Sequence, residues 1–146
     1  FLGEEVHFCQ DNEAKSSVNV LRGLHYQLSP YAQTKSVRVV KGRVLDVVVD
    51  IRKSSPTFGK YVAVELSEEN KLQLYVPKGF AHGYLTLEDD TIFSYKVDNY
   101  YHSASERGIM YNDPSLNIEW GKVSKPFVIS GKDKKQPAFK KAEIFE

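Results

Sequence analysis

Ser36-Val37-Arg38-Val39-Val40, then Lys41-Gly42-Arg43, then Val44-Leu45-Asp46-Val47-Val48-Val49-Asp50-Ile51 is the stretch that decides the fold class. β-Branched side chains lose rotamer freedom in a helix and pack well on a pleated surface, so both runs read as strands. The glycine between them predicts a tight turn and hence a hairpin. Working outward, strands recur at Tyr61-Val62-Ala63-Val64-Glu65-Leu66, Leu72-Gln73-Leu74-Tyr75-Val76, Gly83-Tyr84-Leu85-Thr86-Leu87 and Thr91-Ile92-Phe93-Ser94-Tyr95-Lys96-Val97. Turn formers punctuate them at Ser54-Ser55-Pro56-Thr57-Phe58-Gly59, Ser67-Glu68-Glu69-Asn70 and Glu88-Asp89-Asp90. No long stretch sets apolar residues at three-and-four spacing, and only the tail, around Ala138 to Glu143, is expected to make a short helix. Many short strands at regular spacing imply an all-β sandwich, jelly roll or barrel.

The 146 residues suit one domain with a single sizeable core, and no linker, repeat or low-complexity tract divides residues 1–146. Twenty basic against nineteen acidic residues leave a formal charge of +1, so no global field recruits nucleic acid or an anionic membrane. Any anion site must be local. The single Cys9 excludes an internal disulfide framework and fits a reducing, cytoplasmic compartment. Apolar runs such as Val47-Val48-Val49 are far too short to span a bilayer, so a soluble protein is expected. The sequence opens on Phe1 without a charged leader, and no secretory signal is expected.

Chemistry concentrates in Arg22-Gly23-Leu24-His25-Tyr26-Gln27, which sets a cation three residues before a histidine inside an apparent strand. A guanidinium fork suits phosphate or carboxylate, and imidazole suits proton transfer near neutral pH. In strict alternation Arg22 and His25 would face opposite sides. Gly23 either marks a bulge that brings both to one face or is a bare bend. Pro77-Lys78-Gly79-Phe80-Ala81-His82-Gly83 delivers a second histidine to the start of a strand and resembles the second motif of the cupin superfamily. Many cupins pair such a histidine with His-x-His and a glutamate to bind a metal. Here the position two after His25 is Gln27, and His7 and His102 lie in unpromising contexts, so no metal is expected. His82 is compatible with a hydrogen-bonded turn histidine or with a phosphate or sugar contact.

Further segments stand in a recognisable order. Gln10-Asp11-Asn12, Ser16-Ser17, Leu21 to Gln27, Arg52 to Lys60, Pro77 to Gly83, Phe93-Ser94-Tyr95-Lys96, Asp98-Asn99-Tyr100-Tyr101 and Ser130-Gly131-Lys132-Asp133, with Asp113-Pro114 and Ile118-Glu119-Trp120 between, together resemble the dTDP-4-dehydrorhamnose 3,5-epimerase family. The resemblance implies a cupin-type jelly roll, a double-stranded β-helix. It also implies an epimerase that uses neither metal nor cofactor. Its substrate would be a dTDP-linked 4-keto-6-deoxy sugar, whose ketone acidifies the hydrogens on C3 and C5. By the same resemblance His25 is the base, Asp133 the carboxylate that orients it, Tyr95 the acid on the opposite face and Lys35 the cation for the enolate oxygen. Arg22 would engage the pyrophosphate or sugar edge, with His82 and Lys132 as further contacts. Tyr101 would stack on thymine, and Gln10, Asn12 and Glu106 would complete the ligand contacts.

Family members are typically homodimers that exchange edge strands, and the pathway implied is synthesis of rhamnose or a related deoxysugar for a bacterial cell surface. One segment of the family pattern, Phe-x-Asp-x-Arg-Gly-x-Phe-x-Glu, precedes the matched region in relatives and does not occur in this sequence. Weakened nucleotide binding is the expectation. Three other readings stand beside the first: an epimerase acting at one carbon only, a metal-dependent cupin enzyme, and a nucleotide-sugar binding module without catalysis.

Overall fold

The computed structural model describes residues 5–121 and 126–146. Ten strands follow in chain order: β1 (Gln10–Ser16), β2 (Val20–Gln27), β3 (Lys35–Lys41), β4 (Arg43–Asp50), β5 (Tyr61–Ser67), β6 (Gln73–Val76), β7 (Phe80–Thr86), β8 (Thr91–Val97), β9 (Glu106–Gly108) and β10 (Val128–Ile129). One sheet runs β1-β8-β3-β6; the other runs β10-β2-β7-β4-β5, with β9 also paired on β2. Pairing is antiparallel except for the two-residue match of β10 with β2. The two facing sheets are those of a cupin-like jelly roll.

The hairpin expected around Gly42 does not form. β3 pairs with β8 and β6, whereas β4 pairs with β5 and β7, so Gly42 carries the chain from one sheet to the other. Val37 and Val39 of β3 meet Val44 of β4 face to face in one buried cluster with Leu66, Tyr84 and Phe93. Facing across the interior buries these side chains on both sheets at once, which side-by-side pairing would not do. Gly42 has φ +80°, and a Cβ there would lie 2.3 Å from Thr91 Oγ1, so the corner needs glycine.

A second cluster, on the opposite face of the larger sheet, gathers Leu21, Leu24, Tyr26, Val47, Val49, Ile51, Ala81, Leu85, Ile109, Leu116 and Trp120. β4 is therefore covered on both faces, Val44 inward and Val47 and Val49 outward. That double burial accounts for its nearly continuous apolar run. Each such side chain contributes about 1.5–3 kcal/mol.

The short helix expected in the tail is present as one 3₁₀ turn only. Ala138 to Glu143 holds a single 3₁₀ turn at Phe139–Lys141, flanked by extended Ala138 and Ala142. So short a segment cannot nucleate a stable helix alone. Just beyond it, Phe145 donates its N–H to the Ile51 carbonyl at 3.3 Å and bridges Arg52, drawing the chain out straight. No α-helix occurs among the described residues, and no helix there is long and apolar enough to cross a membrane.

Candidate active site

The Gly23 alternative resolves as a bulge. Arg22 pairs with Tyr84 and His25 with His82, so three residue steps on β2 oppose two on β7. Leu21 before the bulge and Leu24 and Tyr26 after it all join the outer cluster, which turns Arg22, His25 and Gln27 to the inner face. Gly23 has φ +123°, and a Cβ on it would come within 2.6 Å of Gly83 Cα. Two glycines thus let β2 and β7 close up beside the histidines.

Two adjoining cavities, of about 260 and 220 Å³, lie between the sheets and share His25, Lys35 and Tyr95. Gln10, Asn12, Gln27, Gln33, Tyr101 and Glu106 line the first as well; Ala14, Arg22, His82, Tyr84 and Phe93 line the second. His25 Nε2 lies 2.5 Å from Asp133 Oδ1, across 108 residues of sequence. Asp133 Oδ2 accepts the Gly23 N–H at 3.3 Å, and Asp133 donates its own N–H to Ser130 Oγ at 3.1 Å. Burial pushes the Asp133 carboxyl up, but hydrogen bonding from His25, the imidazole's charge and the Gly23 N–H hold it below the ordinary carboxylate range. An ionised carboxylate on one ring nitrogen fixes the tautomer and leaves the other nitrogen as a base.

Tyr95 stands on β8 of the opposite sheet, so histidine and phenol reach the shared space from facing walls. Burial raises the Tyr95 hydroxyl above its ordinary 10.0, with the Arg22 charge pulling the other way, and it stays protonated at neutral pH. Lys35, half-buried at the start of β3, has its ammonium 6.0 Å from the Tyr95 ring centre. Burial lowers its pKa to about 8 against the attraction of Asp46 and Glu106, leaving a cation at pH 7 in a poorly solvated place. Base, acid and cation are the parts an α-proton transfer requires.

The remaining anticipated residues divide into two groups. Tyr101 Oη donates to Glu106 Oε2 at 2.7 Å, and Lys132 Nζ donates to the same oxygen at 2.5 Å. Burial raises the Glu106 carboxyl, but those two donors outweigh it and keep it low. Gln10 Nε2 donates to Asn12 Oδ1 at 2.9 Å on the same wall. Arg22, exposed, reaches the second cavity and lies 3.4 Å from Ser16 Oγ. His82 is buried within β7, its Nε2 2.9 Å from each oxygen of Asp46. Lys132 and Asp133 support the cavities from the turn behind β2.

Asp46 and Gln27 are site residues that the sequence reading passed over. A carboxylate inside Val44-Leu45-Asp46-Val47-Val48-Val49 is itself a signal, since a buried acid demands a partner. Among the described residues no three His, Cys, Asp or Glu side chains are grouped to hold a metal ion.

Comparison with known proteins bears on this arrangement. A family model described as dTDP-4-dehydrorhamnose 3,5-epimerase matches residues 2–141. The chain is 56% identical over 144 residues to the dTDP-4-dehydrorhamnose 3,5-epimerase of Shigella flexneri, covering 99% of this chain and 78% of that protein. Among solved structures, the dTDP-4-dehydrorhamnose 3,5-epimerase from Elizabethkingia anophelis NUHP1 superposes with a TM-score of 0.90 at 52% identity, covering 92% of this chain and 73% of that one. The dTDP-6-deoxy-D-glucose-3,5-epimerase from Legionella pneumophila Philadelphia 1, solved with dTDP-4-keto-L-rhamnose, gives a TM-score of 0.91 at 48% identity, covering 96% and 73%.

Proposed function

This chain belongs to the dTDP-4-dehydrorhamnose 3,5-epimerase family, and we propose that it inverts C3 and C5 of dTDP-4-dehydro-6-deoxyglucose by proton abstraction and return through an enolate. The observation that carries the reading is the 2.5 Å His25–Asp133 contact at a cavity shared with Tyr95 and Lys35. His25 removes the α-proton, Asp133 stabilises the imidazolium, and Tyr95 returns a proton from the facing wall. A ketone α-hydrogen is far less acidic than an imidazolium, so the base needs help; Lys35 supplies it by holding the charge that develops on O4. No metal takes part in these steps.

The nucleotide half occupies the cavity bounded by Gln10, Asn12, Tyr101 and Glu106, with Lys132 behind, and fixes the sugar against His25. Arg22 and His82 take the sugar or pyrophosphate edge in the second cavity. The enzyme works as a cytoplasmic homodimer supplying a deoxysugar for cell-surface polysaccharide. Among the described residues β1 stands at the edge of its sheet, a physical ground for strand-to-strand association. Sedimentation at working concentration would read the oligomeric state.

The test is proton NMR of the ketosugar nucleotide in deuterated water with the protein, with His25→Ala and with a chelator-treated sample. Exchange at C3 and C5 that survives chelation and disappears in His25→Ala is expected. Exchange at one carbon would make the protein a mono-epimerase. Loss on chelation would restore the metal-dependent reading, and binding without any exchange would leave a non-catalytic module.

A further inference from the structure

Gln27 is almost fully buried, at 4% exposure, yet it borders the first cavity two residues beyond His25 on the same face of β2. Among the described residues its amide bonds backbone groups alone. Nε2 donates to the Tyr31 carbonyl at 2.7 Å and to the Tyr100 carbonyl at 3.2 Å, while Oε1 accepts the His102 N–H at 2.8 Å. The Tyr100 carbonyl belongs to the peptide unit before Tyr101, and the His102 N–H to the unit after it. One primary amide therefore grips both peptide planes that set the direction of the Tyr101 side chain. The third bond ties in the loop after β2, which the chain reinforces elsewhere: Gln33 Nε2 donates to the Asn99 carbonyl at 2.8 Å, and the Tyr31 and His102 rings stack at 3.7 Å.

From this geometry we infer that Gln27 is the positioning residue for Tyr101, aiming its ring and its bond to Glu106 at the nucleotide half of the substrate. The inference rests on the reading of Tyr101 as a nucleotide contact. Tyr101 is exposed on a short segment, and among the described residues its side-chain hydrogen bond is the 2.7 Å bond to Glu106. A ring held only at its tip keeps rotational freedom that binding must remove; a ring whose backbone is clamped does not. The arrangement also links the two ends of the site, since the proposed base and the clamp share one strand.

The experiment is a double-mutant cycle with Gln27→Met, which keeps the side-chain volume and removes the hydrogen bonds, and Tyr101→Ala. KM, kcat and dTDP affinity are measured for each single and double variant, together with thermal melting. Gln27→Met is expected to raise KM and the dTDP dissociation constant about tenfold with kcat changed less than threefold, the scale of one or two lost hydrogen bonds. In the Tyr101→Ala background the same change is expected to add less than twofold. Additive losses, an unchanged KM, or a Gln27→Met chain that fails to fold would each overturn the inference. An unchanged KM in Tyr101→Ala alone would instead refute the nucleotide role of Tyr101.

Discussion

Two histidine–carboxylate pairs sit side by side in the larger sheet, since His25 on β2 and His82 on β7 are register partners. Chemically they are the same pair. In one, His25 keeps 31% of its side chain exposed above a carboxylate that is 4% exposed; in the other, His82 and Asp46 keep 7% and 0%. Their carboxylates also come from different places, Asp133 from a turn far along the chain and Asp46 from the next strand. The difference teaches that accessibility, not residue type, divides the work. A base must offer one nitrogen freely to substrate, whereas the buried His82–Asp46 pair holds its geometry and shows the second cavity only a fixed polar edge for the sugar.

The sharpest way to break this contrast is to truncate each pair. His25→Ala should lower turnover about 10²–10⁴-fold, the usual contribution of a general base, while leaving dTDP affinity nearly unchanged and costing less stability than Asp46→Ala, because Asp133 keeps the Gly23 N–H. Asp46→Ala should act mainly on the fold. Removing one partner of a fully buried pair costs about 3 kcal/mol, read as a lower denaturation midpoint, because His82 would be left buried without its acceptor. If Asp46→Ala cost only turnover, or His25→Ala only stability, the division of roles would be wrong.

The same contrast shows what a sequence can disclose. β8 is expected and found at Thr91 to Val97, because β-branched and aromatic residues alternate there with polar ones. β1 is not legible in the sequence: Gln10 to Ser16 carries no large apolar residue, since its inward positions, Asn12 and Ala14, face a polar cavity rather than a core. The turn at Gly42 was legible as a sharp bend but not as a change of sheet, which depends on pairings dozens of residues away. Gly23 was legible as a bulge or a bend, and only the register with β7 decides between them. The partnership of His25 with Asp133 came from family resemblance; no local pattern links positions 108 residues apart. Asp46 could have been flagged as an acid in an apolar strand, but its partner could not.

Lys35 allows the comparison to be sharpened by pH. Its pKa of about 8 lies below the ordinary 10.5 because burial disfavours the ammonium. Between those two values the unfolded chain binds more protons than the folded one, so this group's contribution to stability rises with pH across the window. If its positive charge stabilises the enolate, turnover must move the opposite way and fall about tenfold from pH 7 to pH 9 while melting does not fall with it. Tyr95 cannot produce that limb, since burial raises its hydroxyl above 10.0. Lys35→Arg, whose charge persists, should carry its residual activity through pH 9 with no such decline. A flat wild-type profile would remove Lys35 from the chemistry.

At the rim, a third carboxylate pair completes the series and predicts the smallest effect. Lys132 Nζ lies 2.5 Å from Glu106 Oε2, but the lysine side chain is 58% exposed and the glutamate 20%. Pairs exposed to solvent are worth at most about 1 kcal/mol, and salt screens them. If Lys132 does no more than steady Glu106 under Tyr101, Lys132→Gln should raise KM two- to fivefold at low ionic strength, and the difference should shrink toward unity in about 0.5 M salt. A direct charge-assisted bond from Lys132 to the pyrophosphate would behave otherwise, costing tenfold or more. The size of that single KM ratio therefore decides whether the basic side chain behind β2 touches the substrate or only braces the group that does.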